Sequence, residues 1–389
     1  MRELDLDRLA LVGPEHVLWH GALGGAWIEA PHVYRRDGRY LLLCAEGGTG
    51  RDHAVTAATA DVVTGPYTTD TRSPLLTHRH LGEDAAVQCV GHADLVETPA
   101  GEPWALVLGV RPLAGHHVLG RETFLVPARW DERGLVLAPG VGQVTGLAGT
   151  GADAGPGPVD WISLRGPVAG RVEPGGGPGD RAPDDVVAIT LTPSPAPLRE
   201  RGVPAFLGRR QETHRVSFTG RLETADVARQ AVGLVALQDE ATHAVVRVRR
   251  EHDGGGCVAE AVQVLDGVAR VLARVPLPEG QVELGVRSDG LRYELLASAA
   301  GPGTSPVAPV ALLAVVPHHE LSAEAGDTFV GVVLGVVVEG PADDPPVTVT
   351  HVRLRPGDAR DDDTAPSIPT SRADPLQTNT PTQTQTRTS

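Results

Sequence analysis

The sequence predicts an all-β chain, and three observations carry that expectation. The 389 residues include 47 glycines and 33 prolines, a turn-rich composition. Val, Ala and Leu dominate the apolar set, and no window sustains a helical period. Short alternating runs are separated by Asp-Gly and Gly-Pro steps, the pattern of many brief strands joined by turns.

Residues 1–140 repeat one motif of strand, turn and strand. Runs at 33–34 and 39–44 flank Arg36-Asp37-Gly38, a hairpin in which Asp-Gly supplies positive φ. Residues 54–60 alternate like a half-buried strand and are broken by Thr64-Gly65-Pro66-Tyr67. A second hairpin joins 94–98 to 104–110 through Pro99-Ala100-Gly101-Glu102-Pro103. A third joins 124–130 to 135–137 through Asp131-Glu132-Arg133-Gly134. Antiparallel strands at this spacing suit propeller blades or a sandwich. Residues 141–158 are mostly Gly, Ala, Pro and Thr, too poor in apolar side chains for a core element, and form a linker. The block 159–356 holds ten alternating runs, at 186–191, 214–222, 232–238, 244–249, 258–265, 268–275, 282–288, 291–298, 329–338 and 347–354. Ten such strands imply a two-sheet, lectin-like jelly-roll sandwich. Residues 357–389 are Asp, Thr, Pro, Gln and Ser with almost no large apolar residue, an expected disordered tail.

A net charge of −15 argues against a nucleic-acid partner, which needs a basic face. Cys44, Cys89 and Cys257 are far apart without paired spacing, so buried or incidental thiols are expected rather than a disulfide or metal framework. The start, Met1-Arg2-Glu3-Leu4-Asp5, lacks the apolar core of a signal peptide, and no apolar run approaches membrane-spanning length. A cytoplasmic chain without a membrane partner is the expectation.

The residues that bear chemistry cluster in the first block. Glu29 opens a strand just before Ala30-Pro31-His32, where a side chain can point into a central funnel; alone, a glutamate there is usually solvated surface. Ala45-Glu46-Gly47-Gly48-Thr49, His53-Ala54-Val55-Thr56, Thr64-Gly65-Pro66-Tyr67, Gly91-His92-Ala93-Asp94, Arg111-Pro112-Leu113 and Leu119-Gly120-Arg121-Glu122-Thr123 follow in order. Together with Glu29-Ala30-Pro31-His32 these pieces resemble glycoside hydrolase family 43, of the β-xylosidase/α-L-arabinofuranosidase type. Gly202-Val203-Pro204-Ala205-Phe206-Leu207, Gly233-Leu234-Val235-Ala236 and Phe329-Val330-Gly331-Val332 resemble that family's C-terminal concanavalin A-like domain, so the likeness covers nearly all of residues 1–356.

The resemblance implies a five-bladed propeller, here represented by its later blades, followed by the sandwich. It implies inverting hydrolysis of O-glycosyl bonds in small xylose- or arabinose-containing oligosaccharides. Inversion needs a carboxylic acid to protonate the leaving oxygen and a carboxylate about 6.5–9.5 Å away to activate water. Glu29 matches the general acid, Thr49 a residue lining the sugar subsite, and Arg121 the arginine that binds the glycone hydroxyls. A planar guanidinium fork suits two adjacent hydroxyls; the bland alternative for Arg121 is a surface ion pair with Glu122. His92 matches a histidine near the propeller axis, associated with a structural Ca²⁺ or other cation or its waters; a satisfied core histidine is the rival reading. Phe329 matches a sandwich contact over the propeller mouth, His116 and His117 read as loop residues, and Glu46 as a structural hydrogen-bonding group. No cofactor is required, a structural cation on the axis is compatible with the resemblance, and so is a homo-oligomer.

Two departures stand out. The family's catalytic base and a second aspartate lie upstream of the acid motif, and only 28 residues precede Glu29, with Asp5 and Asp7 matching neither. The expectation is therefore an N-terminally truncated chain with no catalytic base and impaired hydrolysis. Ala30 also replaces a glycine of the acid motif. The alternative to an enzyme is a non-catalytic carbohydrate-binding remnant or lectin-like module.

Overall fold

The computed structural model describes residues 1–24, 26–145, 161–174, 186–251, 255–299 and 311–357. The linker and the tail expected at 141–158 and 357–389 fall almost wholly outside these residues. Among the described residues all regular structure is β-strand apart from two single-turn 3₁₀ segments, Thr224–Asp226 and His318–Leu321. No helix among the described residues is long and apolar enough to cross a membrane.

The first block forms two antiparallel meanders. One runs Glu29–Arg36, Arg39–Glu46, Ala54–Ala60 and Thr68–Thr69; the other runs Gln88–Glu97, Pro103–Val110, Glu122–Asp131 and Gly134–Leu137. The turns form as their residues dictate: Asp37 and Gly38 lie at φ 48° and 81°, the doubly left-handed backbone of a tight hairpin. Leu41, Leu43, Val55 and Ala57 of the first meander pack on Val90, Ala93, Val107 and Phe124 of the second. Phe124 is fully buried there, and truncation to Ala would cost about 3–5 kcal/mol. Strand Ala54–Ala60 is not half-buried as its alternation suggests. Val55 and Ala57 join that core, while Ala58 and Ala60 face a second one with Leu42, Cys44 and Tyr67. A central strand covered on both faces needs no polar side, and small Ala and Thr residues satisfy that without an obvious apolar run.

The second block is a sandwich. One sheet orders Gly170–Pro174, Val186–Leu191, Val347–Pro356, Arg215–Glu223, Gln281–Asp289, Arg292–Ala299 and Ala311–Pro317. The facing sheet orders Ala205–Arg210, Val333–Glu339, Ala231–Leu237, His243–Arg250, Cys257–Leu265 and Val268–Pro276. Phe218, Val286, Tyr293 and Leu295 of the first meet Leu234, Val246, Leu334 and Val336 of the second in one core. All ten expected runs contain strands. Gly170–Pro174, Ala205–Arg210 and Ala311–Pro317 are additional, and the strand expected from residue 329 begins only at Val333. Phe329 is thereby left in a loop.

Two irregularities in the first block position the site. Strand Glu29–Arg36 slips register between Glu29 and His32, with Ala30 at φ 50°. Strand Gln88–Glu97 slips twice, around Gly91, with Cys89 and His92 at φ 53° and 51°. Bulges of this kind re-aim side chains that strict alternation would send to the wrong face.

Candidate active site

Glu29 begins its strand opposite Ala45, with an exposed side chain that makes no hydrogen bond or ion pair to the described residues. It lies in the field of two histidines, His53 and His92, and both of these also sense Arg121. The two bulged strands and the start of Glu122–Asp131 thus bring Glu29, His92 and Arg121 into one neighbourhood. Burial, then Arg121 and His32, depress the proton affinity of His92, so its ring is neutral at pH 7. The ring is partly buried, 6.3 Å from that of His32, and has no hydrogen-bond partner among the described residues. It is therefore not a satisfied core histidine.

Arg121 is where the structure is most decisive. Its neighbour Glu122 is taken by Arg111, whose Nε and Nη2 donate to the two carboxylate oxygens at 2.9 and 2.6 Å. Arg111 also donates to the Glu212 carbonyl at 2.7 Å. The Arg121 guanidinium is left without a carboxylate among the described residues, and its Cζ stands 5.0 Å from the centre of the Phe329 ring. A cationic plane over an aromatic face is held in place without spending its hydrogen-bond donors. Arg121, Thr49 and Phe329 line one cavity of about 280 Å³, with Cys89, His117 and Glu324 also on its wall. The three residues expected to hold substrate are brought together by three distant parts of the chain.

The nearby carboxylates are otherwise engaged. Glu46 is buried and accepts the backbone N–H groups of Ala22 and Leu23 at 2.9 and 2.6 Å, the structural role expected of it. Asp94 accepts the Tyr34 hydroxyl at 2.5 Å and has His32 Nδ1 at 3.5 Å. Glu324 pairs with His117 Nδ1 and accepts the His117 backbone N–H at 3.2 Å. Burial pushes the Glu324 carboxyl up, but hydrogen bonds from His117, Ser322 and the backbone outweigh it and bring it down to about 2. His117 is a loop residue, as expected, yet it stands on the cavity wall. Asp327 is exposed at the cavity rim, on the sandwich side.

Three contributors were not singled out from sequence. His53 is buried, its Nδ1 2.9 Å from the Cys89 carbonyl and its Nε2 without a partner, with its ring pressed against Gly91. The sequence signal for it was the His53-Ala54-Val55-Thr56 piece. Trp27 is 76 % exposed at φ 52°, its ring on Gly48 beside Thr49. Its signal was an aromatic side chain two residues before the acid. The Glu324–His117 pair spans 207 positions and had no local signal. Among the described residues no group of three or more His, Cys, Asp or Glu side chains is arranged to hold a metal ion.

Comparison with known proteins identifies the family of both blocks. The sequence model of glycosyl hydrolases family 43 matches residues 1–136, and that of the beta xylosidase C-terminal concanavalin A-like domain matches residues 183–350. A xylosidase/arabinosidase of Butyrivibrio fibrisolvens is 32 % identical over 298 residues, covering 73 % of this chain and 57 % of that protein. A non-reducing end α-L-arabinofuranosidase of Bacteroides ovatus is 28 % identical over 344 residues, covering 82 % of this chain and 60 % of that protein. The chain thus spans less than two thirds of the length of these relatives. The crystal structure of a xylan β-1,4-xylosidase from Bacillus halodurans superposes with a TM-score of 0.72 at 25 % identity, over 91 % of this chain and 70 % of that one. The chain belongs to glycoside hydrolase family 43 and carries that family's C-terminal concanavalin A-like domain.

Proposed function

We propose that this chain carries the acid-bearing and sugar-holding half of a glycosidase that releases xylose or arabinose units from short oligosaccharides by inversion. The observation that supports it best is the uncommitted Arg121 fork facing the cavity it shares with Thr49 and Phe329. Two adjacent sugar hydroxyls suit a planar pair of N–H donors. Glu29, unpaired and in the same electrostatic neighbourhood, protonates the leaving oxygen as general acid. Neutral His92 accepts or donates a hydrogen bond to the sugar, or to the waters of an axial cation. The two meanders are later blades of the five-bladed propeller, and the sandwich closes their mouth.

In this reading the water-activating carboxylate is not supplied by Glu46, Asp94 or Glu324, because each is already held by N–H or O–H donors. The chain alone then binds sugar and turns over slowly. That commitment of the neighbouring carboxylates is also what favours the second reading, a carbohydrate-binding protein without chemistry. Hydrolysis of nitrophenyl β-xyloside, nitrophenyl α-L-arabinofuranoside and xylobiose separates the two. The proposal expects a rate about 10²–10⁴-fold below an intact acid/base pair. Glu29→Gln should remove the residual xylobiose activity while sparing the activated aryl leaving groups more. Equal losses on both would overturn the acid assignment, turnover at ordinary enzyme rates would overturn the missing-base assignment, and no turnover with sugar binding intact selects the second reading.

A further inference from the structure

Arg121 lies one residue before its strand, so the strand ladder does not fix it. Its backbone N–H donates instead to the carbonyl of Phe329 in the sandwich, at 2.8 Å. Next to it, Gly120 forms a β-bridge with Val330, and Val332 donates to the Val118 carbonyl at 3.0 Å. Arg210 Nη2 donates to the Leu119 carbonyl at 3.0 Å. The two backbones cross at a pair of glycines. A Cβ on Gly331 would lie 2.1 Å from the Leu119 carbonyl oxygen, and one on Gly120, at φ +64°, would lie 2.2 Å from the Gly331 nitrogen.

We propose that Gly331 is a positioning residue for Arg121: the bare crossing of residues 118–121 with residues 329–332 lets the sandwich aim the guanidinium at the sugar cavity. This rests on the sugar-site reading above. The obstructing atoms are backbone, so no flexible side chain can swing away. A carbon needs roughly 3.3 Å from a carbonyl oxygen, so a methyl group at Gly331 separates the segments by about 1 Å. Displacements of that size cost on the order of 10²-fold in well-ordered sites. The clasp formed by Glu324 and His117, and by the Ala323 N–H on the His117 carbonyl at 3.2 Å, holds the far end of the same segment.

The test is Gly331→Ala in the full chain, with binding of xylobiose followed by calorimetry and the Arg121 Nε–H signal followed by NMR. Affinity should fall about 10–100-fold, and the Arg121 signal should move in the sugar-free protein while that of Arg111 stays. Should Gly331→Ala not fold, Arg210→Met removes one strut of the same crossing and should weaken binding in the same direction. Arg121→Met is measured alongside. If Arg121→Met has no effect on binding, the sugar-site reading itself is wrong. If Arg121→Met abolishes binding while a folded Gly331→Ala (or Arg210→Met) leaves affinity and the Arg121 signal unchanged, the positioning role is wrong.

Discussion

Whether Glu122 belongs to Arg111 or to Arg121 decides whether a free guanidinium faces the cavity, and a double-mutant cycle measures it. The Glu122 and Arg111 side chains are only 15 % and 24 % exposed, and their two bonds are 2.6 and 2.9 Å long. Bidentate charge-assisted pairs are stronger than neutral ones, and hydrogen bonds to charged groups contribute about 1.5–3 kcal/mol. Glu122→Ala leaves Arg111 partly buried, with the Glu212 carbonyl as its remaining partner. Its cost should be about 2–4 kcal/mol, below that of breaking a fully buried pair. The coupling energy between Glu122→Ala and Arg111→Ala should be about 2 kcal/mol, within the range of contacting pairs. That between Glu122→Ala and Arg121→Ala should stay below about 0.5 kcal/mol, as for residues that share no interaction. Urea unfolding, followed by circular dichroism and tryptophan fluorescence, supplies the energies. A strong Glu122–Arg121 coupling with a negligible Glu122–Arg111 coupling would refute the reasoning.

Two other outcomes follow from the backbone and from buried histidines. Ala30 sits at φ 50°, where an L-residue costs roughly 1–2 kcal/mol and glycine costs nothing sterically. After glycine's greater unfolded-state entropy of about 0.5–1 kcal/mol is subtracted, Ala30→Gly should stabilise the first meander by about 0.5–1 kcal/mol in urea unfolding, and a loss of stability would contradict the strain. His53 and His78 have proton affinities lowered first of all by burial. A base with a depressed folded pKa stabilises the fold above its unfolded value near 6.5 and loses that contribution as pH falls toward the folded value. His78 Nδ1 is 2.7 Å from the Val87 carbonyl and Nε2 accepts the Val144 N–H at 2.9 Å, an acceptor that protonation removes. Stability of the first block should therefore drop as pH falls below about 6.5, measured by hydrogen exchange of the Val144 amide. Flat protection across that window would show that these rings are not held neutral.

The parts legible in the sequence are those set by near neighbours. Asp37-Gly38 and Asp266-Gly267 announce hairpins because both residues of each turn take positive φ. The sandwich strands show in their alternation, and the neighbourhood of Glu29, His92 and Arg121 in the order of the motif pieces. What was hidden depends on partners far along the chain. Strand Ala54–Ala60 reads as half-buried until both its faces are seen covered. Phe329 reads as the start of a strand, but the crossing at Gly331 diverts residues 329–332 to pair with residues 118–121. The partner of Glu122 could not be read either: Arg111, rather than adjacent Arg121, stands beside it, because Glu122 pairs opposite Gly109 across the hairpin.

The central claim, that the cavity of Thr49, Arg121 and Phe329 holds a pentose unit, is tested most directly by equilibrium binding of xylobiose and arabinobiose to this chain and to Arg121→Met. Removing charge-assisted hydrogen bonds that contribute about 1.5–3 kcal/mol should weaken binding of at least one of the two sugars about 10–150-fold. Affinities unchanged by Arg121→Met for both sugars would contradict the account.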